Sequence, residues 1–229
     1  MNLLFSVLYL LITFTLTVII HKYFKKEGLF IWICVSVIIS NIQSVKIIEY
    51  FGIPTALGNI AYANVFLATD ILNETEGVAT ANKSVLYSFL SMFIFAFLMY
   101  FSTLFVPSSI DASNESLKNI FTIIPRITLA SLLAYLVSQL LDVFLYNKLK
   151  MKYNKLWLSN NLSTITSQLL DTIIFVVVAY VGTMTFKELC MMALTMFVLK
   201  TIIALVDTFF IYYVVRKSKT REKDNGYSI

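Results

Sequence analysis

The pentapeptide SQLLD occurs twice in the chain, at Ser138–Asp142 and again at Ser167–Asp171. Each copy lies inside an apolar stretch, the first in AYLVSQLLDVFLY and the second in STITSQLLDTIIFVVVAY. Stretches this apolar predict membrane-spanning helices, because a helix satisfies its own backbone hydrogen bonds within lipid. A Gln and an Asp inside such helices must therefore reach water, contact each other, or bind a further group.

The composition of the whole chain indicates a membrane protein. Of its 229 residues, 59% are hydrophobic and only 14% are charged, whereas soluble domains carry roughly 25% charged residues. A spanning helix needs about 20 apolar residues. We predict an all-α integral membrane protein with apolar segments at 3–20, 29–48, 56–73, 84–106, 120–146, 159–181 and 189–215.

The distribution of basic residues predicts the orientation of these segments. Alternate loops and the tail hold 13 of the 18 Lys and Arg residues, and the loops on the opposite side hold only Lys118 and Lys187. Loops rich in Lys and Arg stay in the cytoplasm, so we expect an outside N-terminus and a cytoplasmic C-terminus in the inner cell membrane. This asymmetry explains the basic balance without a nucleic-acid partner, since the basic tail suits anionic lipid headgroups of the bilayer.

Three parts of the chain are expected from this pattern. Residues 1–28 form an extra N-terminal transmembrane helix and a basic loop, residues 29–215 form a six-helix core, and residues 216–229 form a basic cytoplasmic tail. Segment 3–20 lacks the basic start and small-residue cleavage site of a signal peptide.

Several kinds of catalytic or cofactor site have no signature in the sequence. The two cysteines, Cys34 and Cys190, lie in apolar runs, and the single histidine, His21, sits beside lysines. There is no His/Cys metal cluster and no glycine-rich phosphate loop. We therefore expect no metal, no cofactor and no enzymatic activity.

Ionisable side chains at membrane depth cost about 2.5–3.5 kcal/mol each on insertion scales and usually mark function. This chain places several of them in its apolar segments, together with amides. Their number favours a polar cavity for a solute or ion over structural contacts alone. The set comprises Asn41, Asp70, Arg126, Gln139, Asp142, Gln168, Asp171, Lys200 and Asp207.

The spacing within SQLLD suggests what such a cavity binds. Gln and Asp at i and i+3 share one helix face, and together they offer carboxylate acceptors and an amide that both donates and accepts. That combination suits a planar, amide-like edge such as that of guanine. A structural alternative remains for Gln139 and Gln168, which can bond across helices, and for Asp142, which lies near the cytoplasmic end of its segment. Asp171 lies midway and cannot reach water.

Lysine and aromatic residues complete the predicted cavity. Lys200 lies near the middle of the last segment, and we expect it to meet Asp171 or Asp70 on another helix, which would keep it charged. Tyr62, Phe66 and Tyr135 are candidates to stack on a flat heterocycle.

The chain resembles the queuosine precursor transporters, also grouped as vitamin uptake transporters, over about residues 29–215. SN at Ser40–Asn41 and FLATD at Phe66–Asp70 are followed by two more specific patterns and by Lys200. The first pattern is matched by Arg126, Ala134, Tyr135, Gln139, Asp142, Val143, Asn147 and Leu149. The second is matched by Ser163, Thr164, Asp171 and Thr172.

The resemblance implies a six-helix core similar in outline to the substrate-binding subunits of energy-coupling-factor transporters. It implies uptake of 7-deazaguanines (preQ0, preQ1 or queuine) for queuosine modification of tRNA, with a homo-oligomer or an energising partner still open. On this hypothesis Asp171, Gln168 and Gln139 bind the base. Arg126 and Asp142 form a gating or scaffolding pair with Asn41, while Asp70 and Lys200 close the far side. Transport of another vitamin or a cation is the alternative, and an intramembrane enzyme is a weaker one.

Overall fold

The protein is helical almost throughout, as expected for a polytopic membrane protein. The computed structural model describes residues 1–153, 156–203 and 210, without the side chains of residues 139, 140, 142, 143, 146, 147, 150, 153, 156–161, 163 and 164. Its elements in chain order are α1 (Asn2–Gln43), β1 (Ile47–Tyr50), β2 (Ile53–Ala56), α2 (Gly58–Glu76), α3 (Val78–Ser102), α4 (Asn114–Phe121), α5 (Ile124–Tyr153), α6 (Leu156–Tyr180) and α7 (186–203).

Helix α1 is folded back on itself at a single residue. Lys25 adopts non-helical backbone angles (φ 52°, ψ −139°) inside the 42-residue element, dividing it into limb α1a (2–24) and limb α1b (26–43). The limbs lie side by side, since the Trp32 indole of α1b donates to Thr17 Oγ1 of α1a at 2.9 Å. Gly28 permits this close turn, because a Cβ there would lie 2.4 Å from Phe24 Cβ. The first two predicted segments are therefore separated by a kink rather than by a loop.

A β-hairpin follows α1b where the sequence predicted helix to continue. Helix α1 ends at Gln43, so the helical prediction for residues 44–48 was wrong. Strands β1 and β2 pair antiparallel with Ile47 opposite Ala56 and Tyr50 opposite Ile53. The two turn residues, Phe51 and Gly52, both have positive φ (53° and 80°), as a tight two-residue hairpin turn requires.

The hairpin joins the N-terminal end of α1a to the interior of the helix bundle. At its tip, Asn2 Nδ2 donates to the Glu49 carbonyl at 3.0 Å, and the Tyr50 and Ser6 hydroxyls are hydrogen-bonded. At its base, Ala56 is fully buried and packs with residues of α5, α6 and α7. The chain then enters α2 at Gly58, where a Cβ would lie 2.1 Å from the Ser40 carbonyl oxygen. Only glycine allows α2 to begin this close to α1b.

Helices α5, α6 and α7 form the second half of the bundle. A turn at Gly182 (φ 84°) leads into α7, whose first turn carries the capping pattern TFKE. The Thr185 backbone N–H donates to Glu188 Oε2 at 2.8 Å, and the Glu188 backbone N–H is 3.4 Å from Thr185 Oγ1. The Thr185 hydroxyl, which donates to Glu188 Oε2 at 2.7 Å, and the Thr185 backbone N–H together lower the pKa of the Glu188 carboxyl.

The exposed surface of the helices is apolar, as a lipid-facing surface must be. On α3, Leu86, Leu90, Phe93 and Phe97 are all more than half exposed. Within the described residues, three helical stretches are long and apolar enough to cross a membrane: Asn2–Gln43, Val78–Ser102 and Asn114–Ser138. Ile165–Tyr180 is a shorter apolar helix. These features agree with the predicted all-α integral membrane protein.

Candidate functional site

A partly buried ion pair links α6 to α7 in the second half of the bundle. Lys200 Nζ lies 2.6 Å from Asp171 Oδ2, and the two side chains are only 10% and 23% exposed. The other carboxylate oxygen, Asp171 Oδ1, lies 3.3 Å from Ser138 Oγ of α5. Of the two partners predicted for Lys200, the structure pairs it with Asp171. Three helices therefore converge on one carboxylate.

The antiparallel packing of α5 and α6 brings the two SQLLD copies together. Ser138, the first residue of one copy, lies against Asp171, the last residue of the other. Because the helices run in opposite directions, the remaining ends, Ser167 and position 142, lie at a common level of the helix pair. The repeat thus forms an inverted pair along the α5–α6 contact.

Helix α2 adds an aromatic wall to this ion pair. Tyr62 interacts electrostatically with both Asp171 and Tyr135, and one turn earlier on α2, Asn59 Nδ2 lies 3.5 Å from the Met196 carbonyl of α7. Met196 is in turn one helical turn before Lys200. We call Tyr62, Tyr135, Ser138, Asp171 and Lys200 the Asp171 cluster.

The aromatic rings of the cluster already have aromatic neighbours. The Tyr62 ring meets the Phe66 ring edge-on at 5.2 Å between centroids, and the Tyr135 ring lies 4.8 Å from that of Phe89 on α3. Edge-to-face and tilted pairs at these distances are favourable. These pairs help to fix the positions of the two tyrosine rings.

The amides predicted beside the aspartates are only partly described. Gln168 lies one turn before Asp171 on α6, on the same face, and its side chain is half-buried. The side chains of Gln139 and Asp142 lie outside the described residues, as does Asp207. Their predicted part in the site stays a prediction.

Arg126 has a different partner from the one predicted. Its Nε donates to the Val178 carbonyl at 2.8 Å, and its Nη2 donates to the Val181 carbonyl. It thus binds the carbonyls at the C-terminal end of α6, where a cation is favoured by the helix dipole. The predicted pair with Asp142 was wrong, because 16 residues of the continuous helix α5 separate the two, about 24 Å at 1.5 Å per residue.

Asn41 and Asp70 lie near the Asp171 cluster but do not join it. The Asn41 amide donates to the Val37 carbonyl at 2.8 Å and accepts from Ser131 of α5 at 3.2 Å. Asp70 is eight residues beyond Tyr62 on α2, about 12 Å along the axis, and interacts with Glu74. The alternative pairing of Lys200 with Asp70 was wrong, since the ammonium contacts Asp171.

A second buried polar group holds α1a, α1b and α2 together. Asn64 of α2 donates from Nδ2 to Ser36 Oγ at 2.6 Å and accepts through Oδ1 from the Thr17 hydroxyl and from the Trp32 indole N–H. It lines a small cavity of about 20 Å³. We call Thr17, Trp32, Ser36 and Asn64 the Asn64 network.

A wider cavity of about 260 Å³ lies at the surface between the N-terminus and the hairpin tip.

A known family covers the part of the chain that holds the Asp171 cluster. The family described as "Putative vitamin uptake transporter" matches residues 56–214. That match includes α2 to α7 and every member of the cluster. The chain belongs to this family. It is therefore a multi-pass membrane protein of a transporter family.

Three similar proteins have names that refer to queuosine precursor transport. A protein of Bacillus subtilis (strain 168) named "Probable queuosine precursor transporter" is 41% identical over 181 residues, which is 78% of this chain and 79% of the relative. A Haemophilus influenzae protein of that name is 29% identical over 130 residues, 57% of this chain and 54% of the relative. The "Queuosine precursor transporter" of Escherichia coli (strain K12) is 26% identical over 133 residues, 58% of each chain. No solved structure matches the chain.

Ser138, which contacts Asp171, was not among the site residues predicted from the sequence. The signal was present, because both copies of the repeat begin with the same hydroxyl residue. Finding it required the register of α5 against α6, which no local pattern encodes. Tyr62 and Tyr135, by contrast, were singled out from the sequence and do lie by Asp171.

Proposed function

We propose that the protein imports a queuosine precursor, a 7-deazaguanine base, into the cytoplasm for salvage into tRNA. The observation that carries the proposal is the partly buried carboxylate of Asp171, which contacts Ser138 of α5 and Lys200 of α7 and interacts with Tyr62 of α2. A carboxylate in a protein interior accepts readily from paired N–H groups, which the edge of such a base offers. The name shared by the three relatives points to the same class of solute.

The Asp171 cluster provides three kinds of contact for a flat base. Asp171 accepts from the ring N–H and the exocyclic amine. Gln168, one turn away on the same face, reaches a carbonyl or the pyrrole N–H, and Gln139 on α5 is its counterpart. Tyr62 and Tyr135 supply aromatic surface, which contributes about 1–3 kcal/mol per stacked base in other proteins.

We assign the remaining polar residues to helix packing or to the path of the solute. Arg126 and Asn41 are engaged with backbone and Ser131, so they hold helices in place. Asp70 and Asp142 lie on α2 and α5 further toward the cytoplasmic ends, where they suit the exit path. The limb α1a and its basic turn are an addition to a six-helix core.

We place the protein in the cytoplasmic membrane with its N-terminus outside and its C-terminus inside. The Lys25 kink, with Lys26 3.9 Å from Glu76 at the end of α2, then lies at the cytoplasmic side. The hairpin tip and Asn2 lie at the opposite side. Reporter fusions at residues 51 and 229 test this orientation, and an active periplasmic reporter at residue 229 would reverse it.

The base passes to the cytoplasm by alternating access, with no ATP hydrolysis by this chain. Uptake into vesicles, measured with and without a protonophore or a membrane extract, distinguishes three possibilities: facilitated uptake, proton coupling and an energising partner. Uptake into vesicles of the purified protein that survives a protonophore indicates facilitation, and uptake abolished by the protonophore indicates coupling. Uptake only after addition of a membrane extract indicates a partner, and cross-linking shows whether the chain is a homo-oligomer.

The direct test of the proposal is uptake of labelled queuine or preQ1 by vesicles containing the purified protein. Unlabelled preQ0, preQ1, queuine, guanine, other vitamins and metal ions are then added as competitors. We expect the 7-deazaguanines to compete most strongly. The family description also fits another vitamin as solute, and saturable uptake of a different vitamin, with none of queuine, would replace the proposal.

A further inference from the structure

The two oxygens of the Asp171 carboxylate are used unequally. Oδ2 makes a short contact of 2.6 Å with the Lys200 ammonium. Oδ1 lies 3.3 Å from the Ser138 hydroxyl, which is long for an O–H···O hydrogen bond. That hydroxyl has one proton to donate, and it also lies 3.0 Å from the Tyr135 carbonyl. Oδ1 therefore has capacity to accept a hydrogen bond from a solute, because Ser138 retains its carbonyl acceptor.

An ammonium beside a carboxylate presents a donor next to acceptors. A base of the guanine type presents the complementary order, with a carbonyl oxygen at position 6 next to N–H groups at positions 1 and 2. A base with an amino group at position 6 presents a donor where guanine has an acceptor. The order of donor and acceptors in the ion pair therefore matches a base with a carbonyl at position 6 and not a base with an amino group there.

We infer that Lys200 reads the carbonyl at position 6 of the base and is a specificity-determining residue. This inference rests on the proposed function and adds the basis of its selectivity. On binding, the base edge donates to both oxygens of Asp171, and Lys200 moves from Oδ2 to the adjacent carbonyl. The Asp171 carboxylate thus always has hydrogen-bond donors beside it, and the Lys200 ammonium always has an acceptor. Gln168 then contacts the pyrrole N–H.

A 6-amino base is rejected by the same arrangement. Its amino group would point a donor at the Lys200 ammonium, and its ring nitrogen at position 1 would point a lone pair at Asp171. Both clashes occur at side chains that are only 10% and 23% exposed, so water compensates only in part for the lost partners. Discrimination by one such paired contact is roughly 10- to 100-fold.

The test compares two competitors that differ at position 6 and in the N1 proton. Uptake of labelled queuine is measured against 7-deazaguanine and against 2,6-diamino-7-deazapurine. We expect the wild type to prefer 7-deazaguanine by roughly 10- to 100-fold. Lys200→Gln should lower this ratio several-fold without abolishing it, because the amide can accept from a 6-amino group as well as donate to a 6-carbonyl, whereas the clash between the N1 lone pair and Asp171 remains. Lys200→Arg should retain the preference, and Lys187→Gln, an exposed substitution on the same helix, should change nothing.

A charge exchange separates specificity from simple support of the fold. In the double variant Asp171→Lys with Lys200→Asp, the ion pair can re-form, so thermal stability should exceed that of Asp171→Lys alone. Its uptake should nevertheless be lost, because donor and acceptor have changed places. An unchanged preference in Lys200→Gln, or wild-type uptake by the exchanged variant, would overturn the role of Lys200. Absence of any 7-deazaguanine uptake by the wild type would instead overturn the proposed function.

Discussion

The Asp171 cluster and the Asn64 network are both polar groups between packed helices, yet they are built differently. The Asn64 network is neutral, and its amide binds Ser36, Thr17 and Trp32 from two neighbouring helical limbs. The Asp171 cluster holds two full charges, and one of its carboxylate oxygens has only a long contact to Ser138. Neutral, well-paired groups rigidify a fold. Charged side chains at membrane depth are costly to insert and usually mark a functional site. The Asp171 cluster has such charges and an additional acceptor.

This difference separates two uses of polarity within one membrane protein. The Asn64 network ties α1a to α1b and α2, so its loss should affect folding. The Asp171 cluster joins α5, α6 and α7 beside α2, so its loss should affect transport. Four substitutions test that division.

The largest effect is expected from Asp171→Asn. The amide retains the size of the side chain but removes the negative charge that the base and Lys200 both use, so uptake of queuine should be abolished. Membrane levels, measured by immunoblot, should stay within about twofold of the wild type. Asp111→Asn, in the exposed loop before α4, is the matched control and should transport normally. Normal uptake by Asp171→Asn would remove Asp171 from the site.

Asn64→Leu should show the opposite pattern. It removes the amide that accepts from Thr17 and Trp32 and donates to Ser36, although Thr17 keeps the Thr13 carbonyl and Trp32 keeps the Thr17 hydroxyl as acceptors. Each lost hydrogen bond costs about 0.5–1.5 kcal/mol, so the unfolding temperature of the purified protein should fall. Uptake per folded molecule should be nearly unchanged. Asn73→Leu, at an exposed position on the same helix, should have little effect, and equal losses in both variants would contradict the assigned role of Asn64.

Arg126→Lys should have a smaller effect on stability. An arginine binds two carbonyls through its planar fork, whereas a lysine ammonium acts as a point charge. We expect loss of one of the two hydrogen bonds to the end of α6, about 1–2 kcal/mol. Arg126→Gln should lose more, since it also removes the favourable charge at the helix C-terminus. Thermal unfolding in detergent measures the stability of both variants. A stable Arg126→Gln variant that had lost uptake would show that Arg126 acts in solute binding rather than in helix packing.

The smallest effect is expected from Glu188→Gln at the start of α7. The pKa of Glu188 is lowered by its hydrogen bonds to Thr185, so the ionised carboxylate contributes stability above its unfolded pKa of about 4.3. That contribution is lost as the pH falls through the lower, folded pKa. The wild type should therefore unfold at a slightly higher temperature than the variant at pH 7, and the difference should shrink steadily as the pH is lowered through the folded pKa. A difference that does not change with pH over this acid range would show that the carboxylate charge is not its cause.

The sequence predicted the helices and a pairing of Lys200 with Asp171 for good physical reasons. Apolar segment length is set by bilayer thickness, and a charge in the middle of such a segment has to find a partner. Lys200 had few possible partners among the other segments, so its pairing with Asp171 could be anticipated.

The features that the sequence did not predict depend on how helices pack. Arg126 binds carbonyl groups, which every residue carries and which therefore leave no trace in the sequence. Ser138 meets Asp171 only because of the register between α5 and α6. The hairpin at Ile47–Ala56 was missed because its apolar residues continue those of α1b, and its turn has Phe51 rather than Asn or Asp before the glycine.

The contact at Gly58 limits how this transporter can move. With its Cα against the Ser40 carbonyl, the start of α2 cannot slide along α1b, and the short hairpin between them has no slack. We therefore expect limb α1b, the hairpin and α2 to move as one block. On the proposed alternating access, the boundary that shifts would run between this block and helices α5 to α7, where Tyr62 of α2 interacts with Asp171 of α6.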